Sequence, residues 1–263
     1  MTNDTPDFEA IEWEVGDDHV ATITLNRPDA LNSFNEAMGR EMTWAWATVR
    51  DTDDIHAVVL RANGERAFST GADITGDPGW FMKDNVWNTF DPGEALSPKQ
   101  KHRVWKPVVA AVHGMCAGGG QYFINEADII ICSDDATFFD PHANGSITSA
   151  VEPIGMLSRG VPLGDVLRWA LMGNEERITA DTALRLGLVT EVVPRDQLRD
   201  RAHAIAAAIA ARAPKPIQGT VRAIWESLDM TRQIALQNAI AYTNIGNAHD
   251  DRRPREKRDP EYR

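Results

Sequence analysis

The chain has 263 residues, 43% hydrophobic and 25% charged, and its 27 Lys+Arg against 39 Asp+Glu leave a net charge of −12. That balance describes a soluble globular protein with a full-sized core, excludes disorder along the whole chain, and argues against sequence-independent nucleic-acid binding, which needs clustered positive charge. The longest apolar runs, such as residues 108–112 and 129–132, are far short of the roughly 20 residues of a membrane-spanning helix.

The opening MTNDTPDFEAIEWEV has no basic stretch followed by an apolar one, so no secretory signal is expected. Two cysteines, Cys116 and Cys132, make neither a disulfide framework nor a zinc spacing, and a reducing cytoplasm is the expected setting, with no metal. Only the tail 251–263 is locally basic.

In chain order, residues 9–25 read as two strands. The second, 19–25, alternates Val20, Thr22 and Thr24 against Ala21, Ile23 and Leu25, as a half-buried strand does. A turn at 26–29 follows. Ser33 ahead of Glu36 makes a capping-box pattern, and Phe34, Met38, Met42, Trp46 and Val49 recur at helical spacing. Residues 56–61 form a dense strand and 61–72 a glycine-bearing loop. Glycines and prolines break up 73–106, which reads as a partly helical insertion containing Trp80, Phe81, Trp87 and Phe90. Residues 107–113 are a buried strand, 114–120 (GMCAGGG) a glycine-rich turn, 121–127 a helix, 128–132 another buried strand and 136–139 a short extended piece. Helices are expected at 157–171 and 179–186 and a strand at 188–193, then only helices: 195–213, 216–228 and 230–248. Alternating strands and helices imply an α/β core.

Two glycine-bearing bends draw the chemistry. One is FSTGADI at 68–74; the other is HGMCAGGG at 113–120. In the second, three glycines join a buried strand to a helix start. Glycine lets backbone approach a ligand closely, and the first N–H groups of a helix favour negative charge. Tight packing alone would explain the glycines equally well. The run lacks the G-x-G-x-x-G register of a dinucleotide site, the Gly-Lys-Ser/Thr of a P-loop, and any G-x-S-x-G elbow.

Six segments taken together resemble the enoyl-CoA hydratase/isomerase (crotonase) superfamily. They are LNRPDALNSFN (25–35), AFSTGADI (67–74), KPVVAAVHGMCAGGG (106–120), EADIIICSDDATF (126–138), RITADTALRLGLVTEVVP (177–194) and EKRDPEYR (256–263). The resemblance implies an α/β fold built as a spiral of ββα units, with an acyl-CoA core at 1–194 and a C-terminal helical oligomerisation segment at 195–263. It implies a homotrimer or a dimer of trimers. The substrate would be an acyl-CoA thioester, coenzyme A entering as part of it and no separate cofactor being required. The family's two oxyanion-hole N–H groups map to Ala72 and Gly119, with Gly118 and Gly120 supporting the turn. Its CoA-lining segments map to Arg27, Ala30, Leu31, Asp73 and Ile74. Lys257 matches a possible phosphate contact, with a solvated tail as the other reading. Trp80 and Trp87 fall in the variable acyl-pocket region, where they line a site for a bulky or cyclic acyl group or pack the loop.

Both family glutamates are replaced. The first position is Tyr122 and the second His142. Tyrosine, with a pKa near 10, is a poor base at neutral pH, so Tyr122 reads as structural or as a hydrogen-bond donor. Histidine titrates near ~6.5 and can serve as acid or base, with Asp140 two residues away to orient it. Glu152 either supplies the missing acid, caps the next helix or pairs with Arg159. The leading expectation is an enoyl-CoA hydratase/isomerase-type enzyme. The alternatives are another reaction on the same scaffold, decarboxylation or C–C hydrolysis, and a non-catalytic acyl-CoA-binding protein.

Overall fold

The computed structural model describes residues 6–75 and 92–246. Trp80, Phe81, Trp87, Phe90, Lys257 and the basic tail lie outside them.

The architecture is two sheets and their covering helices. The large sheet holds β1 (Ile11–Val15), β2 (Val20–Leu25), β3 (Ala57–Ala62), β5 (Val108–Val112), β7 (Ile129–Ser133) and β10 (Glu191–Val193), in the order β1-β2-β3-β5-β7-β10. Only β1 and β2 pair antiparallel. The small sheet holds β4 (Ala67–Ser69), β6 (Met115–Ala117), β8 (Thr137–Phe139) and β9 (Ile178–Thr179), in that order. Three times the chain runs one strand in the large sheet, crosses to a short strand in the small sheet, and enters a helix. β3 and β4 precede α2 (Pro92–Leu96), β5 and β6 precede α3 (Tyr122–Asn125), and β7 and β8 precede α4 (Val151–Ser158). This is the expected spiral of ββα units.

Burial explains the strands. β2, expected to be half-buried, is buried at all six positions. From β2 onward the large sheet is parallel, and such sheets are covered on both faces. Ala21, Ile23 and Leu25 face the main core with Val58, Leu60, Val108 and Ala110, whereas Val20, Ala57, Val59, Val109 and Ala111 face α7 (Leu198–Ala210). The charged, partly exposed β1 forms the edge.

α1 (Glu36–Asp51) presents Met38, Met42, Ala45, Trp46 and Val49 to the core. Its cap is Asn35, whose Oδ1 accepts the Met38 N–H at 3.0 Å, and not Ser33. The bridge between Phe34 and Ala72 keeps the chain extended up to that point. Full burial of a side chain the size of Phe68 contributes roughly 1.5–3 kcal/mol. Glu41, on the same helix, is buried, and its carboxylate accepts the N–H groups of Glu9, Ala10 and Ile11 at 2.9–3.0 Å.

The single helix expected at 157–171 is two, α4 and α5 (Leu163–Met172), because Pro162 cannot continue the ladder. α6 (Ala180–Leu186) precedes β10. After β10, α7 packs Leu198, Ala202, Ala206 and Ala210 on the large sheet, so the covering of the core runs past the 194/195 division. α8 (Pro214–Ser227) and α9 (Arg232–Gly246) pack on each other and bury only Gly246. Among the described residues no helix is long and apolar enough to cross a membrane.

Candidate functional site

The three short strands β4, β6 and β8 lie side by side and parallel, so their carboxyl ends open at one edge of the small sheet. Each exit delivers one part of the site.

After β4 the chain bends through Gly71 to Ala72. Phe34 N–H donates to Gly71 O at 2.8 Å and Asp73 N–H to Phe34 O at 2.9 Å, which pins the bend to the start of α1. The Ala72 N–H, on the other side of that bridge, has no acceptor among the described residues. After β6 comes a 3-10 turn, Gly118–Gln121, whose first N–H groups precede any residue that could accept them; Gly119 N–H is likewise without an acceptor. The two bends touch. A Cβ placed on Gly71 would lie 2.9 Å from Gly119 N, and Gly71 has a φ of +90°. Only glycine satisfies both the close approach and that φ at low cost. The bend that carries Ala72 therefore lies against Gly119.

After β8, Asp140 and Pro141 lead into the 3-10 turn His142–Gly145. The His142 ring lies against the glycine turn: its Cε1 would be 3.4 Å from a Cβ on Gly118. Asp140, fully buried, holds His142 twice. Its Oδ1 is 2.5 Å from Nδ1 and accepts the His142 backbone N–H at 3.1 Å. Glu152, buried in the first turn of α4, brings Oε1 to 3.7 Å from Nε2. The imidazole thus lies between two buried carboxyl groups. The bond to Asp140 holds its pKa above the usual histidine value against desolvation, with the Asp140 and Glu152 charges adding to the rise. Burial pushes Asp140 up, but the bond from His142, the adjacent Ser149 hydroxyl and the His142 N–H outweigh it, holding the carboxyl below its usual range. Ser149 lies outside normal hydrogen-bond geometry to Asp140.

Glu152 faces His142 and not Arg159, whose guanidinium donates to the carbonyls of Ile124, Asn125 and Ala127. Tyr122 is buried, its ring centroid 6.0 Å from that of Phe34 and its Cε2 3.3 Å from a Cβ on Gly119, so it walls the glycine turn. The motifs give no hint of Asn125, whose Nδ2 donates to Glu152 O at 3.3 Å and whose side chain fills the space beside Gly155. It sets α4, and hence Glu152, against α3.

The residues matched to CoA-lining segments form one neighbourhood. Thr70 N–H donates to Leu31 O at 3.2 Å, tying the Pro28–Ala30 turn to the bend before Ala72. The Arg27 guanidinium pairs with Asp73 at 2.8 Å and donates to Ser33 O at 2.5 Å, so Asp73 faces Arg27 and not an open pocket. Ile74 is 92% exposed beside them. Trp80, Trp87 and Lys257 lie outside the described residues. Among those residues no cluster of His, Cys, Asp and Glu is fit to hold a metal.

A family model described as enoyl-CoA hydratase/isomerase matches residues 16–263. The (E)-benzylidenesuccinyl-CoA hydratase of Thauera aromatica is 33% identical over 234 residues, covering 86% of this chain and 85% of the relative. The short-chain-enoyl-CoA hydratase of Clostridium acetobutylicum is 35% identical over 228 residues, covering 85% and 82%. An enoyl-CoA hydratase/isomerase from Mycobacterium paratuberculosis superposes with a TM-score of 0.82 at 36% identity, covering 90% of each chain.

Proposed function

The chain belongs to the enoyl-CoA hydratase/isomerase family, and we propose that it transforms an acyl-CoA thioester through an enolate held by the N–H groups of Ala72 and Gly119. The observation that carries this reading is their closeness, without acceptors among the described residues, beside the Asp140–His142–Glu152 cluster. Donors fixed in advance around a developing oxyanion lower the barrier by roughly 3–4 kcal/mol each.

His142 moves the proton. Asp140 keeps the Nδ1 proton in place, so the neutral ring offers Nε2 as the base toward the carbon beside the thioester carbonyl. The imidazolium that forms is flanked by Asp140 and Glu152, and the carbonyl oxygen takes the electron pair left behind. Returning the proton to a different carbon isomerises the acyl chain. In the hydration direction Glu152 takes a proton from water as it adds at the β carbon, and protonated His142 delivers one to the α carbon. Tyr122 walls the site, and Arg27, Ala30, Leu31, Asp73, Ile74 and Gly118 border the thioester arm. A bulky, ring-bearing acyl group suits the aromatic insertion with Trp80 and Trp87, and the name of the Thauera relative points the same way. The exposed apolar residues of α8 and α9, among them Ile224, Leu228, Ile234 and Ile240, support assembly as a trimer or pair of trimers.

The test is exchange of the α proton of a bound acyl-CoA with solvent deuterium, read by mass spectrometry beside a turnover screen of trans-2-enoyl, β-keto and malonyl thioesters. Exchange that is lost in His142→Ala is expected. Binding of CoA esters with neither exchange nor turnover would refute it. Histidine in place of a family glutamate favours one second reading, a decarboxylase or C–C hydrolase on the same enolate, which the β-keto and malonyl arms would reveal.

A further inference from the structure

The large sheet has a second cluster of chemistry, on the face turned away from Phe34 and Tyr122. Along β3, Ala57 and Val59 face α7; along β5, Val109 and Ala111 do the same. The next residues in that direction are Arg61 and His113. α7 begins at Leu198, beside the ends of these strands. A cavity of ≈ 240 Å³ remains there, lined by Arg61, His113, Arg195, Leu198 and Arg199, with Asp196 the one acidic residue of the lining.

Arg61 and Arg199 are held but keep donors to spare, whereas both Nη groups of Arg195 are engaged. Arg61 donates through Nε to Thr24 Oγ1 at 2.9 Å, and its two Nη groups have no partner among the described residues. Arg199 spends Nη2 on Ala62 O and Asn63 Oδ1, at 3.1 and 3.0 Å. Arg195 is anchored by Asp135 and by the carbonyls of Gly64 and Glu65. Burial, then Arg61, weakens the hold of Arg199 on its proton, as Arg195 also does. His113 is 5% exposed and its Nε2 is buried with no partner. Leu198, the first residue of α7, completes the lining, its N–H donating to Arg195 O.

We infer that this cavity is a binding site for a phosphate-type oxyanion, separate from the acyl-CoA site. Guanidinium groups from two parts of the chain, Arg61 on β3 and Arg195 and Arg199 at the start of α7, line one space, and guanidinium forks match phosphate oxygens. His113 adds a polar atom that a hydroxyl of hydrogen phosphate would satisfy. The volume lies below the roughly 300–1,000 Å³ of pockets that enclose drug-sized ligands, which favours a small ion or the phosphate end of a larger molecule.

Inorganic phosphate, titrated by calorimetry into the purified chain at constant ionic strength in chloride, tests this without any turnover readout. The expected result is saturable binding of one phosphate per chain. Arg61→Gln or Arg199→Gln should weaken it at least about tenfold, since a charge-assisted contact is removed. Arg27→Gln, at the other site, should leave it unchanged. Should Arg61→Gln fail to fold, Arg61→Lys keeps the charge without the fork and should bind measurably more weakly than the native chain. A parallel titration with glycerol 3-phosphate identifies the source: tighter binding assigns an ester, weaker binding the free ion. Absence of saturable binding, equal affinity in the Arg61 variants, or loss through Arg27→Gln alone would overturn the site. Because thioester exchange is not measured, the result is independent of the proposed reaction.

Discussion

Gly71→Ala is the sharpest probe of the paired N–H groups. The new Cβ would lie 2.9 Å from Gly119 N and 3.2 Å from Ala117 O, so the two bends must part by about half an ångström to restore ordinary contact. A φ of +90° adds strain of roughly 1–2 kcal/mol for any residue with a Cβ. Removing one such donor outright costs roughly 10²–10³-fold in rate. A half-ångström displacement loosens it without removing it, so a fall in kcat/KM of roughly tenfold to a hundredfold is expected, or about 1.4–2.7 kcal/mol of barrier. The control is Gly187→Ala. Gly187 also has a positive φ, +76°, but nothing lies within 4 Å of its Cβ direction. Calorimetry should show Gly187→Ala losing only what the φ strain costs and Gly71→Ala losing more, and only Gly71→Ala should lose α-proton exchange and turnover. Native kcat/KM in a folded Gly71→Ala would show that the two N–H groups do not act together.

Two further outcomes follow from the same contacts. Neutral His142, with its raised pKa, takes the α proton only above that pKa, so the rate of α-proton exchange should rise with pH through a midpoint above ~6.5. Asp140→Asn should shift that midpoint downward and slow the reaction, because its bond is the largest cause of the rise; an unmoved midpoint would remove Asp140 from the proton chemistry. Glu41→Ala leaves the N–H groups of Glu9, Ala10 and Ile11 without their acceptor, at about 1–3 kcal/mol for each that stays buried. Denaturant unfolding should therefore show a loss of roughly 3–5 kcal/mol.

Much of this was legible in the residues because it is local. The hydrophobic runs of β3, β5 and β7 mark buried parallel strands, and the glycines mark both bends. Asp140 and His142, two apart, were readable as a pair. What stayed hidden was either too short or too distant. β4 and β6 have three residues each, too few for any period, and sit inside stretches that read as glycine loops. Ser33 matched a cap pattern, but the bridge from Phe34 to Ala72 moved the cap to Asn35. The choice of His142 over Arg159 as the partner of Glu152 depends on where α4 docks. Arg61 and Arg199 come together only because α7 returns across a sheet laid down more than a hundred residues earlier.

The neighbouring exits of β4, β6 and β8 divide labour unequally. Two contribute main-chain groups, which almost any side chain leaves in place provided the bends keep their shape. The third contributes side chains, held by Asp140 and Glu152 rather than by the shape of the bends. A scaffold arranged this way can exchange its acid–base equipment at one corner while its grip on the carbonyl persists, so new reactions are reachable by single substitutions. Under the proposed function His142 is the side chain to exchange, and grafting glutamate there is the natural direction for redesign.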